Sequence, residues 1–486
     1  MPCQTQLCPT SHRLLNLRLA ALALLMVTAT LGPVRAADND RGAIAAGYQS
    51  AVNEKRWPDA VEQAQRMVAI ERAAPGRKSL ALADALQKLG LAQRGVEDTQ
   101  GAEASYAEAL NIIEPLVGNT DRRIIGPLRG LGSTLAQMQR HKEAAAILER
   151  AVLISHRSDG LFNPEQENLL LQLSASYYVL GERNEAHQKL LYLYQVCEHT
   201  YGVASPEMMR ALAPLADFYS NVGDFERSRS LYAQGIALVE RKLGSGDPAL
   251  APLLRGYARS YVRELFILPL VAKPPPLPSV SGSLAGDFEP IEVQQLASRK
   301  NLPKQGQQAL ERAVRILDAQ PLLAKRDEYL QTLLDMGDWL LIKGDTQAAL
   351  PYYRKASTLR FTGRQEEHSQ PLSYPVPVYY LPPVSTARYA DRSEEEIVRR
   401  SVLVEFTVTA EGAVKQPTVI TADASPRQIG ATLEALNNAR YRPRLENDAP
   451  VDTPGVRYRE TFRELRKDKS SDADSGATAS DSKASQ

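Results

Sequence analysis

Residues 173–190, LSASYYVLGERNEAHQKL, are followed 42 positions later by residues 215–232, LADFYSNVGDFERSRSLY. The two stretches share one pattern of small and large residues. Leu173-Ser174 precedes Tyr177, Gly181, Ala186 and Leu190, and Leu215-Ala216 precedes Tyr219, Gly223, Ser228 and Tyr232. The same order runs upstream, where Leu131-Gly132 leads to Ala144, Leu148 and Ala151, and Leu89-Gly90 to Ala102, Tyr106 and Ala109. The opening small residue therefore stands at 90, 132, 174 and 216. One step further each way lie Tyr48, with Ala60 and Ala64, and Ala258, with Tyr261. Within a unit apolar residues fall at i, i+3, i+4 and i+7, which is helical. Small residues in both helices let an antiparallel pair approach closely. Such a hairpin cannot bury its apolar face alone, so neighbours must stack.

This pattern resembles the tetratricopeptide repeat in the 42-residue form of kinesin light chains, with Ser205-Pro206 and Asp247-Pro248 opening units after Tyr201-Gly202 and Leu243-Gly244. The sixth unit is interrupted: Pro269 stops its first helix, Lys273–Pro278 and Ser279–Gly286 carry no periodicity, and helix resumes near Pro303 with Ala309 and Ala313. Residues 269–303 read as an insertion, or else as a linker between two shorter solenoids. A last hairpin carries Gly337, Gly344, Ala349, Tyr353 and Ala356. The expected fold is mostly α: a tetratricopeptide α-solenoid over 37–367, followed by a small α+β domain.

Five prolines between Pro371 and Pro383 make 368–392 a stiff connection. A domain at 393–465 follows. Ser393 and Glu396 form a capping box. The period then changes to two: Val402, Val404, Phe406 and Val408 alternate with Ser401, Leu403, Glu405 and Thr407. Glu411-Gly412 turns into a strand over Val414–Thr421, Ser425-Pro426 opens a helix to Ala439, and a last strand sets Val456, Tyr458 and Phe462 opposite Arg457, Arg459 and Arg463. The order resembles the TonB C-terminal domain, through Val402–Val408, Glu411-Gly412-Ala413-Val414, Ala439–Pro443 and the strand after Pro450-Val451. The resemblance implies that the last strand captures an extended peptide from an outer-membrane transporter, or that the domain contacts peptidoglycan. Energy-transducing members keep an N-terminal anchor with a functional His, and Leu19–Leu31 contains none.

The chain has 486 residues, 43% hydrophobic and 24% charged, which excludes global disorder and allows two to four domains. Net charge is +1, so no general nucleic-acid binder is indicated. Arg13 and Arg18, the apolar run Leu19–Leu31 and the small residues to Ala37 form a secretory signal pattern, with cleavage after Ala36. The alternative is a retained anchor, although the run is shorter than a span requires. Losing Arg13, Arg18 and Arg35 takes +1 to −2. Cys3 and Cys8 leave with the segment, and Cys197 remains as a buried, inert thiol. Residues 466–486 lack any hydrophobic residue larger than alanine and read as disordered.

No phosphate loop, nucleophile elbow, Cys-x-x-Cys or His-Glu-x-x-His is present, and no cofactor is expected. His141, His156, His187, His199 and His368 lack metal-pair spacing and read as packed or solvated helix residues. Glu394-Glu395-Glu396 reads as a helix first turn.

The tetratricopeptide resemblance places the outward residues of each first helix on one groove: Gln49, Asn53, Asp84, Gln87, Arg94, Arg129, Gln137, Asn168, Tyr178, Arg210, Asp217, Asn221, Arg255, Arg259 and Arg263. With six Arg against two Asp, the expectation is an acidic peptide, chain terminus or anionic cell-wall polymer as ligand; the bland alternative is a solvated helix face. Arg457 and Arg459 mark a sheet edge that either adds a peptide strand or is protected by its charges. The functional expectation is a non-enzymatic adaptor of a Gram-negative periplasm, with a membrane-anchored energy transducer as the alternative and homodimerisation through the C-terminal edge left open.

Overall fold

The computed structural model describes residues 38–74, 79–267, 302–321, 325–359, 372–383 and 397–465. The signal segment, the Ser393–Glu396 box, most of the 269–303 insertion and the 466–486 tail lie outside them. The chain divides into two compact units, residues 1–140 and 141–486.

The first unit contains α1 (Asp38–Asn53), α2 (Trp57–Ala73), α3 (Leu80–Gly95), α4 (Thr99–Val117) and α5 (Ile125–Gln137). Alanines make close approach possible here: Ala51 on α1, Ala60 and Ala64 on α2 and Ala92 on α3 pack with Tyr48 and are essentially inaccessible. In the second hairpin the buried Tyr106 ring lies on bare backbone. A Cβ on Gly90 would stand 2.9 Å from it, and one on Gly130 2.2 Å.

The second unit begins with α6 (His141–Asp159). Hairpins α7 (Gln166–Val179) with α8 (Arg183–Tyr201), α9 (Met209–Val222) with α10 (Phe225–Leu243), α11 (Leu250–Ile267) with α12 (Lys304–Asp318), and α13 (Arg326–Lys343) with α14 (Thr346–Ser357) follow. Helices α11 and α12 pack as one hairpin although residues 268–301 intervene, and α13 packs on both. The tyrosine-on-glycine contact returns: a Cβ on Gly256 would stand 2.3 Å from Tyr232, and one on Gly337 2.4 Å from Tyr353. No helix among the described residues is long and apolar enough to cross a membrane.

The 42-residue period is visible in the backbone. Positive φ occurs at Lys55, Glu97, Gln139, Gly181 and Gly223, where first helix turns into second. It occurs again at Gly118, Gly160, Gly202 and Gly244, where second helices end. Left-handed backbone suits glycine, and the first series shows that the turn forms even where Lys, Glu or Gln stands in its place.

At the C-terminal end, β2 (Ile397–Val408) is the centre of a three-stranded antiparallel sheet in the order β3-β2-β7, with β3 at Val414–Ala422 and β7 at Thr453–Leu465. Val402, Val404, Phe406 and Val408 are buried, as the alternation predicts, together with Val456 and Phe462. Helix α15 (Pro426–Asn438) closes this core with Leu436, and Ser425 and Gln428 form a full capping box at its start. Strands β1 (Val376–Tyr379) and β4 (Arg440–Arg442) pair as a ribbon, and β5 (Arg444–Glu446) with β6 (Ala449–Val451) as a hairpin. The proline-rich stretch read as a connection therefore contains a strand of the C-terminal fold. Pro377 is tolerated because β1 has only one strand partner among the described residues.

Replacing Gly256 with Ala forces a methyl into the Tyr232 ring. We expect it to lower stability by about 1–3 kcal/mol in urea unfolding, despite the better helix propensity of Ala. The Tyr232→Ala background should remove most of the additional loss.

Candidate interaction site

Site residues from the sequence reading fall into three groups. In the first unit, Arg94 and Arg129 converge on Tyr106: both act on its phenol, and Arg94 hydrogen-bonds it. Burial raises the Tyr106 pKa, and the two guanidinium groups counter part of the rise. Arg94 Nε is itself buried without an acceptor among the described residues. Gln49 donates to Asn53, and Asp84 pairs with Lys88.

In the second unit the first helices α9 and α11, and then α11 and α13, lie in contact, and side chains tie α7 into the same row. Tyr178 OH donates to the carbonyl of Asn221 at 3.4 Å, and its ring meets Phe218 edge-on. Arg210 lies 3.3 Å from Glu167 and over the Tyr201 ring. Arg263 donates to Asp217 at 3.1 Å. Arg255, only 8% exposed, donates through Nε to Asp335 and through Nη1 to Glu328. Arg259 meets Asp335 at 3.5 Å. Asn168 is exposed on the same row.

These contacts correct the expected charge. Arg210, Arg255, Arg259 and Arg263 face Glu167, Asp217, Glu328 and Asp335, four against four, so this wall is balanced and not net basic. The sequence reading counted each helix's own outward residues. It omitted Glu167, Glu328 and Asp335. The signal was available one repeat away: Glu167 precedes Arg210 by 43 residues and Asp217 precedes Arg263 by 46. The energetic weight is uneven. The Arg210 side chain is 55% exposed, and a surface pair of that kind contributes little. Arg255 is enclosed: burial opposes its charge, but Asp335 and Glu328 outweigh that and hold its pKa above the ordinary arginine value.

The third group is on the sheet. Arg457 and Arg459 are exposed on β7; Arg457 pairs with Glu405 at 2.8 Å and Arg459 reaches Ser401 at 3.5 Å. On the opposite face Glu460 is buried and hydrogen-bonded by Tyr380, whose ring packs on Tyr458. Among the described residues β7 pairs with β2 alone.

Sequence reasoning missed the junction between the last helical hairpin and the sheet. Asp338 on α13 accepts from Arg442 Nε at 3.0 Å and Nη2 at 2.6 Å, and from Tyr353 OH at 2.8 Å. Burial works against the Arg442 charge; Asp338 prevails and raises its pKa. Arg354 and Ser357 on α14 also bond to Asp448, at the tip of the β5–β6 turn. That turn carries positive φ at Asn447 and Asp448, a two-residue hairpin signal legible in the sequence. A cavity of about 210 Å³ opens beside this junction, lined by residues of α11, α12, α13 and β1.

Among the described histidines, His187 is buried against Tyr219 and Phe218, and the exposed His199 stacks on Phe162. Cys197 is fully buried, and burial first, then Glu167, pushes its thiol up to about 12.

The tetratricopeptide repeat profile matches residues 209–249, which span α9, α10 and the turn after them. Arabidopsis thaliana Protein KINESIN LIGHT CHAIN-RELATED 3 is 25% identical over 210 residues. That alignment covers 43% of this chain and about a third (32%) of the plant protein. A tetratricopeptide repeat protein from Parabacteroides merdae is similar at 16% identity and TM-score 0.39, covering 68% of this chain and 95% of that one. A Rap protein complexed with competence and sporulation factor is similar at 15% identity and TM-score 0.37, covering 64% and 72%. Residues 209–249 match a tetratricopeptide repeat, and the helical hairpins on either side share its helix–turn–helix architecture. Such repeats generally serve as scaffolds for protein–protein interaction.

Removing one member of the junction pair leaves a buried, unpaired charge. Asp338→Ala should destabilise the protein by about 3–5 kcal/mol in urea unfolding and expose the sheet region to limited proteolysis. In a chain lacking Cys3 and Cys8, Cys197 should resist Ellman's reagent at pH 8 and react only on unfolding.

Proposed function

We propose that the chain is a non-enzymatic interaction adaptor of a Gram-negative cell envelope. Its helical repeats hold one protein or peptide, and its C-terminal sheet holds a second partner by strand addition. The observation that carries this reading is the row of first helices over residues 166–343. Its facing side chains are tied from repeat to repeat by Tyr178, Arg210, Arg263 and Arg255, so it offers a pre-ordered surface. Because the charges along it balance, the ligand best suited to it is a peptide of mixed charge, its main chain met by exposed groups such as Asn168. The paired arginines around Tyr106 retain the case for an anionic peptide or polymer in the first unit.

The TonB-like reading of the C-terminal sheet is supported by the buried alternation in β2 and by the outer edge of β7. An outer-membrane transporter segment or a peptidoglycan-linked peptide would suit that edge, and two β7 edges could instead pair as a homodimer. The periplasmic assignment rests on the signal pattern before Ala37. Retention of that segment in the inner membrane would favour the energy-transducer reading.

Two measurements test the proposal. A photo-crosslinking residue at Asn168 or Asn221 should capture discrete protein partners in cells, whereas the same residue at Leu153, exposed on α6, should not. Equal labelling at all three positions would overturn the wall as a binding surface. Osmotic shock should release a chain beginning at Ala37; recovery of Leu19–Leu31 in the membrane fraction would overturn the adaptor reading.

A further inference from the structure

Among the described residues, tyrosine seats on glycine at Tyr106, Tyr232 and Tyr353, and two of these sites are built alike. Tyr232 hydrogen-bonds Asp217 on α9, and Asp217 accepts from Arg263 on α11 at 3.1 Å. Tyr353 OH donates to Asp338 on α13, and Asp338 accepts from Arg442 on β4 at 2.6 Å. In both, the aspartate stands fifteen positions before the tyrosine, and its carboxylate bridges phenol and guanidinium. Where leucine takes the tyrosine position, at Leu148 and Leu190, the residues fifteen before are Ser133 and Ala175. The aspartate goes with the tyrosine.

Tyr106 departs from this plan. Its hydroxyl-bearing Cζ would lie 2.9 Å from a Cβ on Gly90 and 2.3 Å from one on Gly130. Arg94 is one turn beyond Gly90 on α3 and Arg129 is beside Gly130 on α5, and both act on the phenol. Fifteen positions before Tyr106, however, stands Leu91. No acid acts on this phenol, and among the described residues neither Arg94 nor Arg129 has a carboxylate partner. Two guanidinium groups sharing one neutral neighbour repel each other. Leu91 is 38% exposed and both arginines are partly exposed, so an anion can reach the pair from solvent.

We propose that the carboxylate missing at Tyr106 is supplied from outside the chain, by a partner peptide. It accepts from Arg94 and Arg129, whose planar forks suit its two oxygens, and an apolar neighbour in the peptide lies against Leu91. On the reading of the helical repeats as a peptide-binding surface, this gives the first unit its ligand chemistry: a carboxylate borne by an acidic side chain or by a chain terminus.

Calorimetry of three blocked tripeptides with the full-length chain tests this. Acetyl-Leu-Glu-Leu-amide carries a side-chain carboxylate, acetyl-Leu-Ala-Leu as the free acid a terminal one, and acetyl-Leu-Ala-Leu-amide none. At least one acid should bind about tenfold or more tightly than the amide, and the tighter acid identifies the source. Arg94→Gln and Arg129→Gln should each weaken that peptide about tenfold. Leu91→Asp supplies the carboxylate from within. It should abolish peptide binding and raise the urea midpoint, and the rise should disappear in the Arg129→Gln background. Equal binding of acids and amide would overturn the proposal. So would undiminished binding to Leu91→Asp, or to an Arg129→Gln protein whose urea transition is unchanged. Cross-linking from Asn168 and Asn221 tests the peptide-binding reading in the second unit by itself, so the two failures are told apart.

Discussion

The packing of tyrosine on glycine sets how closely the helices approach. Tyr106 lies on Gly90 and Gly130, Tyr232 on Gly256 and Tyr353 on Gly337, each at a separation that a single Cβ would violate. These rings are buried, but their hydroxyls are not isolated. Tyr106 reaches Arg94, Tyr232 hydrogen-bonds Asp217, and Tyr353 donates to Asp338 at 2.8 Å. Burial raises all three phenol pKa values, so the hydroxyls stay protonated and neutral. One residue type thus closes a hairpin and holds a charged group of the first-helix row in position. The polar surface is ordered by the apolar core beneath it.

The same coupling explains which parts of the fold were legible in the sequence. The 42-residue step was plain because alanine, glycine and large residues recur at contact positions, and the positive-φ series at 55, 97, 139, 181 and 223 shows the backbone obeying it. The alternation Val402-Val404-Phe406-Val408 was equally clear, since a sheet with one covered face must alternate. Strands β1, β4, β5 and β6 were not legible. They are three or four residues long, and β1 contains a proline, so periodicity had nothing to act on. Asn447-Asp448 was their one local signal.

The site was less legible than the fold, for a physical reason. A first-helix residue is met by the corresponding helix of the next repeat, some 43–46 residues away, and after the insertion by one 73–80 residues away. Counting outward residues helix by helix found the arginines and missed Glu167, Glu328 and Asp335. The four arginines of the row lie opposite acids, most of which such a count leaves out, so the charge balances.

The junction of repeats and sheet follows from this pairing logic carried to its end. Arg255 of α11 faces Asp335 of α13, and Asp338, one helical turn further along, faces Arg442 of β4. The sheet therefore supplies to Asp338 of α13 the arginine that the next repeat supplies to Glu167 and Asp217 elsewhere in the row. A repeat stack needs its last apolar and charged face covered, and here the β1–β4 ribbon supplies part of that cover. Arg442 and Asp338 are 11% and 19% exposed at their side chains. An ion pair enclosed to that degree is costly to separate, because each charge would lose its partner without regaining full hydration. The C-terminal region is thus bound to the end of the repeats by the kind of interaction that joins one repeat to the next. Partners on the helical row and on β7 would act on one connected structure.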